Sequence, residues 1–225
     1  MFQKSNSLLY LMHKQEVEQL KKILHGLYPN PKSELDFCND YQLIVAVILS
    51  AQCTDKKVNQ VTPALFTKYP DFQQLAQASI EDLENIIRPI NYYKTKAKNL
   101  IGMANSVSHK HQAMLPTTRV ELEELPGVGR KTASVILSEK NIEPALAVDT
   151  HVFRVSKRMG LAKSDSREAV EEEIKHHFSP HLWRNVHHWL ILHGRRVCKA
   201  QNPACKECML FNVCKRVGIS QFSKS

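Results

Sequence analysis

The chain has 225 residues, 43% of them hydrophobic and 24% charged, with 31 lysines and arginines against 22 aspartates and glutamates. It is long enough to bury a real core in one domain or two small ones, and its composition excludes a disordered or low-complexity chain. The formal charge of +9 points to an anionic partner, of which nucleic acid is the commonest for such a chain.

The first fourteen residues, MFQKSNSLLYLMHK, hold too short an apolar run for a signal peptide, and no segment approaches the length of a membrane span. A secreted disulfide scaffold does not fit a chain of this size. Val17, Leu20, Leu24 and Leu27 keep helical spacing as far as Tyr28-Pro29-Asn30-Pro31. YQLIVAVILSAQ is apolar nearly all round, as a helix in the middle of a helical domain would be. Periodicity alone also allows a buried strand there, and the helical neighbours favour the helix. Helices are predicted at 54–67, 81–88 and 93–108, with another pair flanking PGVG. Pro144 then breaks the chain, and Asp149 reads as an N-cap for the helix beginning VFRVSKR. A final helix, WRNVHHWLILHG, leads into a cluster of cysteines. The fold class is all-α, with many short helices and no internal repeat.

Charge is uneven along this map. YYKTKAKNLIGMANSVSHK carries lysines and no acids, which suits a surface facing DNA phosphates. RRVCK and KRVG are also basic, while EDLE, ELEE and EEE read as solvated helix faces.

Three motifs carry chemistry. In VELEELPGVGRKTASVIL, two helices meet across LPGVG, where Gly127 and Gly129 permit a tight turn and leave amide groups uncovered. The helix that follows adds orphan N–H donors and its positive end, so the turn suits an anion; a connection with no ligand is equally compatible. Lys131 opens that helix. A lysine nucleophile must be unprotonated, and a free side chain titrates near ~10.4. A helix N-terminus contributes about 0.3–1 kcal/mol, or ~2 when partly buried, against the roughly 4 kcal/mol required. Desolvation has to do most of the work, so Lys131 is a nucleophile only in a pocket and otherwise a phosphate contact. The second motif is AVDTHVFRV, with Asp149 ahead of its helix. The third is C-x6-C-x2-C-x5-C, made by Cys198, Cys205, Cys208 and Cys214. Four thiolates so close wrap one metal centre, and both zinc and an iron–sulfur cluster accept such ligation.

LPGVGRKTA resembles the helix-hairpin-helix of the endonuclease III family of DNA glycosylases. LIVAVILSAQCTD, YYKTKAKNL, AVDTHVFRV, HHWLILHG and the four-cysteine array resemble the same family in the same order, over nearly the whole chain. The resemblance implies two helical domains: a barrel over residues 33–143 carrying the hairpin, and a second domain from 1–32 and 144–225 around a [4Fe–4S] cluster held by the four cysteines. It implies a bifunctional enzyme acting as a monomer in a bacterial-type cytoplasm. Its partner is double-stranded DNA containing oxidised pyrimidines or abasic sites. Gly127, Val128 and Gly129 then grip the DNA backbone. Lys131 attacks the sugar carbon bearing the damaged base, forms a Schiff base and cuts the strand 3′ of the abasic site by β-elimination. Asp149 activates the lysine and stabilises cationic sugar character, from across a cleft between the domains. A direct salt bridge would hold the ammonium protonated, so none is expected between the two.

Gln52 and Tyr92 match residues that fill the space of the extruded nucleotide. A helix C-cap for Gln52 and a core aromatic for Tyr92 are the plainer readings. His151 is either a substrate contact or a packed histidine. Glu123 is expected at the surface, with the base pocket as its other reading. The sequence departs from the family in the loop KAQNPA, where Lys199 is the only cation, and at Asn91, which stands where glycine is frequent. Asn tolerates left-handed backbone, so the turn at Asn91 survives. Cys53 has no functional account. Two other functions compete: a monofunctional mismatch glycosylase, which Lys131 and the short stretch after Cys214 disfavour, and a non-catalytic DNA-binding iron–sulfur protein.

Overall fold

The computed structural model describes residues 11–219, so the apolar run within residues 1–10 lies outside the described residues. Eleven α-helices follow one another there: α1 Lys14–Leu27, α2 Asp40–Ser50, α3 Asp55–Lys68, α4 Phe72–Ala76, α5 Ile80–Ile87, α6 Tyr93–Lys110, α7 Arg119–Glu123, α8 Arg130–Glu139, α9 Thr150–Met159, α10 Arg167–His177 and α11 Trp183–Arg196. No strand occurs among the described residues. The chain divides into two compact units, Ser33–Glu143 and Met1–Lys32 with Pro144–Ser225.

In the unit Ser33–Glu143, α2 settles the question its periodicity left open. It is a helix with Tyr41 and every residue from Leu43 to Leu49 buried. A helix apolar on all sides is stable only when others surround it, and α3, α6 and α8 all pack against it. Each fully buried leucine or isoleucine there contributes about 1.5–3 kcal/mol of transfer free energy. Most helices of this unit start on a polar side chain that accepts a first-turn amide: Asn39 for α2, Thr54 for α3, Asp71 for α4, Ser79 for α5 and Thr118 for α7. Two helices start otherwise. Tyr92 precedes α6 and Gly129 precedes α8, and neither supplies a capping side chain.

The other unit gathers both ends of the chain. Leu20 and Leu24 of α1 share a core with Val152 and Val155 of α9, Ile174 of α10, and Trp189 and Leu190 of α11. The Trp189 indole donates to the Tyr28 carbonyl at 2.9 Å, closing the end of α1 onto α11. Lys215 Nζ donates to Glu16 Oε1 at 2.6 Å, and the Lys215 amide donates to the Met159 carbonyl at 3.2 Å. α9 and α11 come close enough that a Cβ on Gly194 would stand 3.0 Å from Val155 Cγ2 and 3.2 Å from His151 Cβ.

Two expectations about charge change. Lys96, in the lysine-rich stretch read as DNA-facing, is only 6% exposed. It turns inward because the carbonyls of Leu49 and Ala51, left without intrahelical donors at the end of α2, accept its ammonium at 2.8 and 2.6 Å. Lys94 and Lys98 remain exposed. The EEE run is not wholly a solvated face either. Glu173 Oε2 accepts the amides of Lys163 and Ser164, and its Oε1 accepts the Ser164 hydroxyl, so it closes the loop ahead of α10.

Candidate active site

The hairpin lies between α7 and α8. Leu122 and Leu125 are buried on the approach, and Val128 plugs the turn from beneath at 4% exposure. The Val128 amide is taken by the Leu125 carbonyl at 3.0 Å, so this residue holds the turn and offers no side chain outward. Gly127 has φ +82°, and a Cβ there would stand 2.9 Å from Asn99 Cβ; backbone and space both require glycine. Gly129 brings no capping group, so the first-turn amides of α8 keep the helix's positive end and lack intrahelical acceptors. The turn therefore presents donors suited to a phosphate.

Lys131 stands in the first turn of α8 and is exposed, as is Arg130. The pocket that a lysine nucleophile requires is not built around it by the protein alone. Glu123 is exposed too, and pairs with Arg119 at 3.6 Å.

Asp149 is half-buried and caps α9, its Oδ1 accepting the Val152 amide at 2.7 Å. The segment leading to it, Ala145–Val148, is buried. His187 Nδ1 meets the Ala147 carbonyl at 2.8 Å, and because a carbonyl only accepts, Nδ1 is the protonated nitrogen there. These bonds fix the carboxylate at the positive end of α9. His151, two residues on, sets Nδ1 3.2 Å from Arg154 Nη2. A guanidinium has only donors, so this imidazole nitrogen accepts.

Arg154 continues from there to the cysteines. Its Nη2 donates to the carbonyls of Gly194 and Cys198 at 3.0 and 3.1 Å. One turn on, Arg158 donates to the carbonyls of Lys199 and Ala200 at 2.7 and 2.9 Å and lies 3.6 Å from Cys198 Sγ. Two arginines four residues apart on α9 thus support the cysteine segment from below. None of the four cysteines is paired in a disulfide. Burial raises the Cys205 and Cys208 thiols and pushes Cys214 up to about 11, with Cys198 adding to each rise. His193 reaches Cys208 Sγ at 3.5 Å through Nε2 and the Tyr28 hydroxyl at 3.4 Å through Nδ1. Burial lowers the pKa of His193 to about 4.

Among the described residues, no three Cys, His, Asp or Glu side chains close into a compact site for a single ion. The donor set is nonetheless thiolate chemistry. Three thiols raised by burial and by the nearness of Cys198, with arginine donors beside them, form a set that a positively charged iron–sulfur core would deprotonate and that guanidinium groups would help neutralise. The loop KAQNPA keeps Lys199 exposed, and its carbonyls at 199 and 200 face Arg158.

Gln52 and Tyr92 take up neither of their plainer readings in full. The C-cap of α2 is Ala51, and Gln52 sits one residue beyond it, exposed, with φ 53°. Tyr92 is 66% exposed, with φ 59°, so it is no core aromatic. Asn91 donates from Nδ2 to the Gln52 carbonyl at 2.7 Å. Asn91, Lys96, Arg154, Arg158 and His187 were not singled out as site residues from the sequence. Only the arginines left a signal, an i,i+4 pair on one face of the helix after Asp149.

A hairpin with uncapped donors, followed by an exposed lysine and set among helices, is a helix-hairpin-helix of the kind that holds a phosphate. The family model described as HhH-GPD superfamily base excision DNA repair protein matches residues 45–180. Endonuclease III of Rickettsia conorii is 44% identical over 203 residues, covering 90% of this chain and 97% of that protein. Endonuclease III of Bacillus subtilis is 40% identical over 206 residues, covering 91% and 94%. A solved structure of a trapped endonuclease III–DNA covalent intermediate superposes with a TM-score of 0.87 at 40% identity, covering 92% of this chain and 97% of that one. The chain belongs to the endonuclease III family, and it is a base excision repair enzyme of the DNA glycosylase/AP lyase class. A thermostable thymine-DNA glycosylase, at 19% identity and a TM-score of 0.79, shares the fold.

Proposed function

We propose that this enzyme removes oxidised pyrimidines from duplex DNA and cuts the strand 3′ of the resulting abasic site, with Lys131 as the nucleophile. The observation that carries this reading is the exposed Lys131 in the first turn of an uncapped helix, directly after the hairpin. The amides of Gly127, Gly129 and the first turn of α8 hold a phosphate of the damaged strand and so place the sugar beside the amine. Duplex DNA lying over the hairpin supplies the cover that the protein alone does not.

The neutral Nζ of Lys131 attacks C1′, and the glycosidic bond breaks as its electron pair leaves with the base, which takes up a proton. The C1′–O4′ bond then opens, O4′ is protonated, and a Schiff base forms between C1′ and Nζ. Removal of a C2′ proton expels the 3′ phosphate. Splitting one difficult cleavage into these steps is what a covalent amine contributes. Asp149 stabilises positive charge on the sugar as the base departs, and its N-cap bond to Val152 holds it ready for that role. A lasting direct ion pair between the two would keep the amine protonated, so this reading requires a neutral Lys131 at the moment of attack.

Gln52 and Tyr92 fill the stack when the target nucleotide turns out. His151, held against Arg154, packs α9. Cys198, Cys205, Cys208 and Cys214 are the residues to hold a [4Fe–4S] cluster, which when bound would cross-link the C-terminal segment. The enzyme works as a monomer in a bacterial-type cytoplasm.

The test is borohydride trapping on duplexes carrying a single abasic site or oxidised pyrimidine. The wild-type protein is expected to form a covalent adduct, and Lys131→Ala to bind the duplex without forming one. Absence of an adduct from the wild type would remove the lyase reading.

A further inference from the structure

Among the left-handed, non-glycine residues of the unit Ser33–Glu143 are two exposed ones tied to each other's loops, Gln52 after α2 and Tyr92 before α6. Left-handed backbone is unfavourable for an ordinary residue, so something must hold it. The bonds around Gln52 show what does. The peptide plane before it carries the Ala51 carbonyl, which accepts Lys96 Nζ at 2.6 Å. The plane after it carries its own carbonyl, which accepts Asn91 Nδ2 at 2.7 Å. The orientations of these two planes are what define φ and ψ at Gln52. Both donors come from the segment around Tyr92, Asn91 directly before it and Lys96 in the first turn of α6.

Lys96 is itself anchored by its second bond, to Leu49 at 2.8 Å, and by burial, which lowers its pKa. Ile90, next to Asn91, is 2% exposed and secures the other side. One buried cation and one amide from the Tyr92 segment therefore hold the backbone at Gln52 in register with the loop that carries Tyr92.

We propose that Asn91 and Lys96 are positioning residues that preorganise Gln52 and Tyr92 as a two-pronged wedge for the duplex. This rests on the reading that those two residues fill the space of the extruded nucleotide. Wedge insertion must offset the loss of base stacking, and residues whose backbone is already held in register lose little freedom on entering. The clamp matters when a paired base must be extruded, and much less once the base is gone.

The experiment uses full-length Asn91→Ala and Asn91→Asp, the latter keeping the side-chain shape but replacing the donor with an acceptor facing the Gln52 carbonyl. Single-turnover base excision is measured on a duplex with a paired oxidised pyrimidine, and strand cleavage on a duplex with a preformed abasic site. Stacking is followed by 2-aminopurine fluorescence beside the lesion. Both variants are expected to slow excision and the fluorescence rise about tenfold, with abasic-site cleavage falling only about twofold. Wild-type excision in both variants overturns the proposal. So does an equal fall on both substrates with a lowered melting temperature, which marks a purely structural role. Gln52→Ala and Tyr92→Ala separate the two layers. If these excise normally, the wedge reading itself fails; if they are slow while both Asn91 variants are normal, only the clamp fails.

Discussion

The hairpin and the cysteine segment hold the two most recognisable motifs of the chain, and they are supported in opposite ways. Most of what shapes the hairpin lies within about one turn of sequence on either side; the exception is α6, where Asn99 closes on Gly127 and Gly102 on Pro126. Leu122, Leu125 and Val128 are buried, Gly127 turns, and Gly129 leaves α8 uncapped. Its working groups are main-chain amides. The cysteine segment has only a 3₁₀ turn, Cys205–Glu207, as regular structure of its own. It is held by side chains from about forty residues upstream, Arg154 and Arg158, and by His193 of α11. Where the main chain is the functional group, one Cβ in the wrong place does the damage. Where side chains are the scaffold, losing one of them does.

The largest effect is expected in the cysteine segment. Cys214→Ser removes the thiol that burial pushes up to about 11. Structural metal sites hold up to about 10–16 kcal/mol of folding free energy in small domains. Even a fraction of that matches a whole domain's stability of roughly 5–15 kcal/mol. The variant, prepared anaerobically, is expected to lose iron and acid-labile sulfide and to accumulate in the insoluble fraction. Full iron content with a wild-type melt would show that Cys214 is not a ligand.

A smaller effect, confined to one residue, is expected at the hairpin. Gly127→Ala imposes left-handed strain of about 1–2 kcal/mol and meets Asn99 Cβ at 2.9 Å. For a chain of this length that lowers the melting temperature by about 2–8 °C, and the displaced turn weakens affinity for abasic-site duplex. Gly129→Ala is the control, since its φ of −96° suits any residue and no atom lies within 4 Å of the added Cβ. Equal melting temperatures for the two variants would contradict the assigned role of Gly127.

The same contrast explains what could be read before the fold was known. The hairpin was legible because its determinants are adjacent in sequence, and α2 because an all-round apolar helix must be central. The cysteine spacing was legible as a metal-binding pattern, but its support was not. Nothing in VFRVSKR says that Arg158 reaches the carbonyls at 199 and 200. Lys96 misled for a related reason. Its neighbours Lys94 and Lys98 are exposed, and only the fold sets two helix-end carbonyls where its ammonium could turn inward. Local patterns reveal backbone geometry, while contacts between distant segments stay hidden until the chain is folded.

The smallest effect sharpens that point in the unit that holds the cysteines, with a carboxylate in place of a ligand. Burial works to raise the pKa of Glu173. The amides of Ser164 and Lys163 and the Ser164 hydroxyl outweigh it and hold the carboxyl below its ordinary value of 4.5. A carboxylate favoured by the folded state contributes its stability in full above the unfolded value and loses it as pH falls through the folded one. Glu173→Gln keeps one acceptor oxygen and removes the charge. Charge-assisted bonds of this kind are worth about 1.5–3 kcal/mol, and discounting for the exposed part of the side chain leaves about 1 kcal/mol. At pH 7 the variant is therefore expected to melt about 2–4 °C below the wild type. Below pH 4.5 the wild type loses its advantage and the two curves converge. A gap that stays constant from pH 7 to pH 3 would mean that shape, and not charge, holds the loop before α10.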